Sequence, residues 1–188
     1  MILIEIVGAL LGFLYVLLEI KQKRLMWIVG AVSALFYIAI FLKSSLFASM
    51  ILQLWYLGAS FYGWIKWGRS TNHQSEEGVI VQMSSRRVII SLALSIVGVA
   101  LTWALLKFFS NHPQPLADAF ITSFSLLATY WVAHKFIYHW YIWIGVDLVA
   151  AILYLSQGLL PTALLYLIYC AIAVVGVLHW RKFKVLFE

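Results

Sequence analysis

Residues 88–109 read VIISLALSIVGVALTWALLKFF, and the only charged side chain in this run is Lys107. The run is long enough to cross a bilayer as a helix, which takes about 20 apolar residues. Six further apolar runs flank it, at 2–20, 25–42, 46–66, 116–134, 139–155 and 159–180. We therefore predict an all-α integral membrane protein with seven transmembrane helices.

The composition is typical of a chain that lies mostly in lipid. Hydrophobic residues make up 64% of the chain and charged residues 11%, with a mean hydropathy of +0.97, whereas a soluble domain is about half apolar and about a quarter charged. The net charge of +6 would suggest a nucleic-acid partner in a soluble protein, but in a membrane protein it indicates basic cytoplasmic loops. We expect the lipid bilayer, and no nucleic acid, as a partner.

The runs and the polar stretches between them divide the chain into five parts. The prediction is a first three-helix unit at 1–67, a cytoplasmic linker at 68–87 with a solvated loop at 71–78, a linking helix at 88–109, a second three-helix unit at 116–180 and a basic cytoplasmic tail at 181–188. The first run lacks the basic start and the small-residue cleavage site of a signal peptide. We interpret it as the first helix.

The basic residues predict the orientation. When successive loops are placed on alternate sides of the membrane, only Lys43 and Lys107 of the 13 Lys and Arg residues fall on one side. Cytoplasmic loops carry the excess of Lys and Arg. This predicts a multi-pass protein of the cell (inner) membrane with its N-terminus outside and its C-terminus in the cytoplasm.

The two halves resemble each other in sequence. Trp27 begins a helix that is followed by a turn and by GWIKW at 63–67, and Trp140 begins one that is followed by a turn and by GVLHW at 176–180. Two three-helix units joined by one helix enter the membrane from the same side, which favours a 3+1+3 arrangement of parallel repeats with a solute path between them. The alternative is chance similarity between apolar helices with aromatic ends.

Asp147 is the clearest candidate for binding a solute, because ionisable groups at membrane depth are costly and usually functional. It follows Trp143 by four residues and Trp140 by seven, so a helix presents all three on one face. A carboxylate beside indole rings suits a cationic, aromatic solute. A hydrogen bond between helices, with a purely structural role, is the alternative.

Four further polar or aromatic residues are candidates for the same site. Gln53 can donate to and accept from a solute, or join two helices, and Tyr56 lies one turn further along. Trp64, near the end of the same run, binds a solute or belongs to the interfacial aromatic belt. For His139 the two interpretations are a hydrogen bond to a ligand and contact with lipid headgroups. Glu19, near the end of the first run, is interpreted as a solvated boundary residue.

Signatures of enzymes are missing from the sequence. It contains no G-x-S-x-G, H-E-x-x-H or P-loop motif and no Cys or His pair at metal-binding spacing. We therefore expect no catalytic residues, no metal and no cofactor.

Several stretches carry a resemblance to a known family. They are Asp118-Ala119-Phe120, residues 130–135, WYIW at 140–143 with Asp147, Leu165-Tyr166, Tyr169, residues 176–180, and Leu52-Gln53 with Tyr62-Gly63-Trp64. This pattern resembles the PnuC family of vitamin transporters. The resemblance implies a fold similar to the SWEET sugar transporters and facilitated diffusion of a B vitamin that a separate cytoplasmic kinase then traps.

The resemblance also implies residue roles. The family's substrate-contacting Gln matches Gln53, and its Asn-Trp-x-x-Trp motif matches 139–143 with His139 in place of Asn. We expect Trp143, Tyr56 and Tyr166 to stack on the vitamin and Asp147 to offset its charge. Nicotinamide riboside is the lead substrate, thiamine is the alternative because of His139, and riboflavin is carried by a sister branch. A structural or assembly protein without a solute is the alternative from another class, and a homo-oligomer is compatible with all of these.

Overall fold

The computed structural model describes residues 2–43, 47–69, 78–109 and 113–187. Within them the chain forms seven helices: α1 Ile2–Ile20, α2 Met26–Lys43, α3 Phe47–Gly68, α4 Ser85–Phe109, α5 Pro115–Ala133, α6 His139–Ser156 and α7 Leu160–Trp180. Each helix coincides with one of the apolar runs and differs from it only at the ends. The all-helical prediction is confirmed at this level.

Four helices are long and apolar enough to cross a membrane, judged on the described residues: Ser85–Phe108, Pro115–Ala133, His139–Ser156 and Leu160–Trp180. Two shorter apolar helical stretches lie in α1 and α2, at Leu10–Ile20 and Met26–Ala39. The outer surface of α4 carries large apolar side chains, and Leu94, Leu101 and Phe108 are each more than half exposed. Such a surface is stable against lipid rather than water.

The helices pack mainly against their neighbours in sequence. In the first half α2 packs against α1 and α3, and in the second half α6 packs against α5 and α7. The long helix α4 packs against α5. Contacts between the halves run from α3 to α5 and from α1 to α7. The first helix of each half therefore contacts the third helix of the other.

Two tryptophans at the starts of α2 and α6 pack in the same manner. The Trp27 ring lies directly against Gly63 of α3. The Trp140 ring lies against Gly176 of α7 in the same way, where a Cβ would stand 2.6 Å from Cδ2. Both indoles are almost fully buried. A glycine at each crossing lets the two helices approach as closely as the ring allows.

Two further tryptophans join the halves to each other. Trp67, near the end of α3, donates its indole N–H to the carbonyl of Ala133 at 3.1 Å, and Trp180, at the end of α7, donates to the carbonyl of Ile20 at 3.0 Å. Each also meets the tryptophan of the preceding helix edge to face, with ring centroids 5.4 and 5.8 Å apart. The ends of α3 and α7 are thereby fixed to the ends of α5 and α1.

The structure contains two short strands that the sequence analysis did not predict. β1 Val79–Gln82 and β2 Lys184–Phe187 pair in parallel, in the stretches predicted as linker and tail. Most of the predicted loop at 71–78 lies outside the described residues, and Gly78 forms a turn with φ of 75°. A run of four residues carries too little periodicity to signal a strand, and its partner lies far along the chain.

The turns that follow α1 and α5 hold β1 in place. Gln22, which is 1% exposed, donates from Nε2 to the carbonyl of Val79 at 2.8 Å and accepts from the N–H of Gly78 at 3.1 Å. The N–H of Val81 donates to the carbonyl of Lys135 at 3.0 Å. The linker and the tail therefore form an ordered layer against one end of the helix bundle.

Candidate solute-binding site

Two adjoining cavities lie between the halves of the bundle. The first lobe has a volume of about 230 Å³ and is lined by Gly12, Tyr15, Trp27, Gly30, Ser33, Ala34, Tyr37, Gln53, Tyr56, Ser60, Thr129 and Trp143. The second lobe has a volume of about 280 Å³ and is lined by Gly12, Tyr15, Val16, Glu19, Tyr56, Trp140, Trp143, Asp147, Tyr166, Tyr169 and Ala173. The lobes meet at the four residues that line both.

The second lobe combines carboxyl groups with aromatic rings. Asp147 from α6 is 6% exposed and Glu19 from α1 is 2% exposed. Trp140 and Trp143 line the same lobe as Asp147, as their spacing predicts. Carboxyl groups held away from water attract a cation strongly, and ring faces add to that attraction. The lobe can therefore hold an aromatic cation.

Tyrosines of α7 form the far wall of the second lobe. Tyr166 stacks on Tyr154 with ring centroids 5.3 Å apart, and it meets Tyr169 edge to face at 6.2 Å. The Tyr169 hydroxyl lies against α1 at Gly12, where a Cβ would stand 2.7 Å from the oxygen. The glycine thus gives the hydroxyl room beside the α1 backbone.

The first lobe is polar without charge among the described residues that line it. Gln53, Ser33 and Ser60 contribute an amide and two hydroxyls. The Ser60 hydroxyl donates to the carbonyl of Tyr56 at 2.8 Å, within its own helix. Gln53 lines this lobe, so its amide is in reach of the polar edge of a solute that spans both lobes.

The interpretation of Glu19 as a solvated boundary residue is wrong. Its side chain is buried and lines the second lobe. The end of α1 is covered by α7, because the Trp180 indole donates to the carbonyls of Glu19 and Ile20 at 3.3 and 3.0 Å. The position of a residue along a helix does not reveal what another helix places over it.

His139 lies behind Glu19 rather than in the wall of either lobe. Its imidazole is fully buried, which excludes the predicted contact with headgroups. Nε2 lies 3.0 Å from the Glu19 Oε1, and Nδ1 lies 2.7 Å from the carbonyl oxygen of Phe136. His139 therefore acts on the second lobe through the Glu19 carboxyl group.

Trp64 lines neither lobe. The guanidinium of Arg24 lies 3.7 Å from the centre of its ring, and Arg24 Nε donates to the Trp64 carbonyl at 2.8 Å. The structure thus brings together Gln53, Tyr56, Trp143, Asp147 and Tyr166 of the predicted site residues. It leaves Trp64 and His139 outside the lobe walls.

A larger cavity of about 560 Å³ lies between α3, α4 and α5. Its described lining includes Arg87 and His134 but neither Asp nor Glu, and it contains none of the predicted site residues. Size alone does not identify a binding site, and convergent polar and aromatic groups are the better guide. We therefore treat the two lobes as the candidate site.

Sequence analysis missed Tyr15, Tyr37 and Tyr169 in addition to Glu19. One signal was present in the first run, because Gly12, Tyr15 and Glu19 follow one another at spacings of three and four residues, which places them on one helical face. A buried ionisable group in an apolar run is a functional candidate. That reasoning would have favoured Glu19 over a solvated boundary.

Comparison with known proteins identifies the family of the chain. Residues 2–182 match the family described as nicotinamide mononucleotide transporter. The nicotinamide riboside transporter PnuC of Escherichia coli K12 is 24% identical over 201 residues, covering 94% of this chain and 84% of that protein. The riboflavin/roseoflavin transporter RibM of Streptomyces davaonensis is 28% identical over 180 residues, covering 94% and 83%.

A solved structure also matches. It is described as the crystal structure of the vitamin B3 transporter PnuC, and it superposes with a TM-score of 0.72 at 23% identity, covering 94% of this chain and 79% of that one. The predicted transporter, rather than an enzyme, is confirmed because the family and these relatives are membrane transporters. The family match extends over nearly the whole sequence, and this multi-pass membrane protein therefore belongs to the nicotinamide mononucleotide transporter family, the PnuC family that its motifs resemble.

Proposed function

We propose that this protein imports a cationic B vitamin by facilitated diffusion, with nicotinamide riboside as the lead substrate. The observation that carries the proposal is the second lobe, where Asp147 and Glu19 stand among the rings of Trp143, Tyr166 and Tyr169. The names of the PnuC relative and of the matching crystal structure support the same substrate class.

Within the site, each part of the vitamin has a matching group. The aromatic ring would stack among Trp143, Tyr56 and Tyr166, and its positive charge would lie near Asp147 in the second lobe. The polar sugar would extend into the first lobe towards Gln53. Stacking on aromatic side chains and charge compensation together account for a site that takes a flat cation.

Thiamine is the second candidate. It is also a cationic aromatic, and His139 stands where the nicotinamide riboside branch has Asn. Riboflavin, the substrate in the name of the RibM relative, carries no positive charge, so the two carboxyl groups of the second lobe favour the cations. A purely structural or assembly role is disfavoured by membership of a transporter family.

We further propose that residues 1–67 and 116–180 are parallel three-helix repeats joined by the helix at 88–109, similar to the SWEET transporters. The matching contacts of Trp27 on Gly63 and of Trp140 on Gly176 support this arrangement. Alternating access would come from rocking of one repeat against the other. The indole hydrogen bonds of Trp67 and Trp180 would have to break when the bundle opens at that end.

Orientation and partners complete the proposal. With the N-terminus outside, the ends of α1, α3, α5 and α7 lie on the cytoplasmic side of the cell inner membrane, beside the linker 68–87 and the tail 181–188. A cytoplasmic kinase that phosphorylates the vitamin would trap it and keep the gradient inward. Assembly into a homo-oligomer is compatible with the exposed apolar surface of α4.

A ligand panel tests the substrate. Purified protein in detergent is heated with nicotinamide riboside, thiamine or riboflavin, and the midpoint of unfolding is measured. A ligand at 100 times its Kd stabilises the folded state by about 2.7 kcal/mol, so the true substrate should raise the midpoint most. An unchanged unfolding midpoint with all three vitamins would contradict the proposal. In a second experiment, uptake into liposomes that requires an ion gradient would exclude simple facilitated diffusion.

A further inference from the structure

A buried ion pair connects α1 to α6 behind the wall of the second lobe. The Glu19 carboxyl and the His139 imidazole are 3.0 Å apart, with side-chain exposures of 2% and 0%. Glu19 lines the lobe and His139 does not. Burying a charged pair is costly, and a cost of this kind inside a membrane protein commonly serves function.

The contacts of the His139 ring indicate how many protons the pair holds. Nδ1 of His139 lies 2.7 Å from the carbonyl oxygen of Phe136, which can only accept, so Nδ1 carries a proton. Nε2 and Oε1 lie 3.0 Å apart without a hydrogen bond between them, and one proton on either group avoids the repulsion between the imidazole lone pair and the carboxylate. With that proton the pair is neutral overall, whichever atom holds it, and without it the pair has a charge of minus one.

The other groups around the second lobe determine whether this proton can be released when a cation binds. The other titratable groups facing the second lobe are Asp147 from α6, Tyr15 from α1, Tyr56 from α3, and Tyr166 and Tyr169 from α7. Phenol hydroxyls stay protonated near neutral pH. No Lys or Arg is among the described residues that line this lobe, and the imidazole lies 3.0 Å from the Glu19 carboxyl group.

We propose, on the basis of the transport of a cationic vitamin, that Glu19 and His139 release one proton when the cation enters the second lobe. In the empty lobe, the proton held by the pair compensates the Glu19 carboxylate. When the cation binds, its positive charge compensates the Glu19 carboxylate instead, and the proton passes to water. His139 is then neutral, and its Nδ1 still donates to the carbonyl of Phe136. Charge in the lobe is thus conserved on binding, and with equal pH on both sides the vitamin gradient alone still drives import. Glu19 becomes a determinant of selectivity for cations, and His139 is its positioning residue.

Linkage fixes the sign of the pH dependence. Because the bound state holds one proton fewer, raising the pH favours binding, and the Kd for a cation should fall about tenfold per pH unit where the exchange is complete. An uncharged vitamin does not replace the proton, so its Kd should stay constant over the same range. This comparison needs no variant of the protein.

Calorimetry of the full-length protein in detergent counts the protons directly. Nicotinamide riboside and thiamine are titrated near neutral pH in buffers of different ionisation enthalpy, and the dependence of the measured heat on the buffer gives the number released. We expect about one proton per cation bound, and none with riboflavin. Glu19→Gln should bind the cation with no release, whereas His179→Asn, a change at an exposed histidine that does not line the lobe, should behave as wild type.

Asp147→Asn tests whether the released proton comes from the Glu19–His139 pair or from Asp147, the other carboxyl group of the lobe. Proton release that persists in Asp147→Asn assigns the proton to Glu19 and His139, whereas release that disappears there and persists in Glu19→Gln overturns the proposal. If Glu19→Gln does not fold, the Kd of Asp147→Asn for cations decides: a Kd that still falls with rising pH supports the pair, and a Kd that is independent of pH overturns the proposal. Absence of vitamin binding would instead contradict the proposed function, so the two failures are distinguishable.

Discussion

The two halves of the bundle share a packing scheme but differ in the residues that face the cavity. Trp27, Gly63 and Trp67 in the first half precede Trp140, Gly176 and Trp180 in the second by the same number of residues. Their ring contacts and indole hydrogen bonds match. The helix crossings near one end of the molecule therefore use the same residue types at the same spacing in both halves.

At the cavity, positions related by the same spacing carry different chemistry. Gly30, Ala34 and Gln53 in the first half correspond to Trp143, Asp147 and Tyr166 in the second. The first set lines the first lobe, and Asp147 and Tyr166 line the second. A repeated framework thus encloses two unlike lobes, one uncharged and polar and one acidic and aromatic. This suits a solute with a polar end and a cationic ring.

The largest effect should come from the shared framework. Gly63→Ala places a Cβ within the Trp27 ring and Gly176→Ala places one within the Trp140 ring, so each should lower the free energy of unfolding by about 1 to 3 kcal/mol, the usual cost of overpacking. Denaturation in detergent measures the loss. Similar losses for both glycines would support equivalent repeats.

Gly58→Ala and Gly145→Ala are the matched controls, since a Cβ at either position meets nothing within 4 Å. They lie in the same or an adjacent helix, and alanine should stabilise the helix slightly. A loss at Gly58 as large as that at Gly63 would show that the tryptophan contact is not the cause.

The second effect tests the charge difference between the lobes. Asp147→Asn removes a carboxylate from the second lobe and should weaken the binding of a cationic vitamin by about 1.5 to 3 kcal/mol, typical of a hydrogen bond or contact to a charged group. Calorimetric titration measures this as a loss of roughly 10- to 150-fold. Riboflavin binding, if present, should not weaken in parallel.

Asp118→Asn is the control for that change, because Asp118 lies in the first turn of α5 and lines neither lobe. Its cation affinity should equal that of the wild type. Equal weakening by both variants would point to a general effect of net charge instead of a contact in the second lobe.

A smaller effect should come from the uncharged lobe. Gln53→Ala removes one neutral amide and should weaken binding by about 0.5 to 1.5 kcal/mol, for cationic and uncharged vitamins alike. Gln114→Ala, which breaks a bond to Ser156 at 2.7 Å outside the lobes, should leave affinity unchanged. If Gln53→Ala binds as tightly as the wild type, Gln53 only joins helices.

The smallest effect on binding is expected at Trp64. Because its ring stacks on Arg24 and lines neither lobe, Trp64→Leu should leave vitamin affinity unchanged and lower stability by about 0.5 to 1 kcal/mol through the lost cation–π contact. Paired titration and denaturation of the same preparation separate the two. A loss of affinity as large as that of Gln53→Ala would restore Trp64 to the site.

Much of the site was visible in the sequence. Asp147, Trp140 and Trp143 were placed on one face by spacing, because helical geometry fixes which residues are neighbours within one helix. Gln53 and Tyr56 were reached by their polarity and by the family motif. The same reasoning failed at Glu19 and His139, whose pairing joins helices that are remote in sequence. The topology, the domain boundaries and the roles of the site residues stay predictions.

The sequence by itself determined the helices and the family. Transfer of an apolar run into lipid is a sum over consecutive residues, so α1 to α7 could be located to within a few residues without knowing any neighbour. Only the tertiary structure decided that Glu19 is buried against His139, that Trp64 faces Arg24, and that residues 79–82 pair with 184–187. Those contacts depend on distances between segments far apart in the chain, which no local pattern encodes.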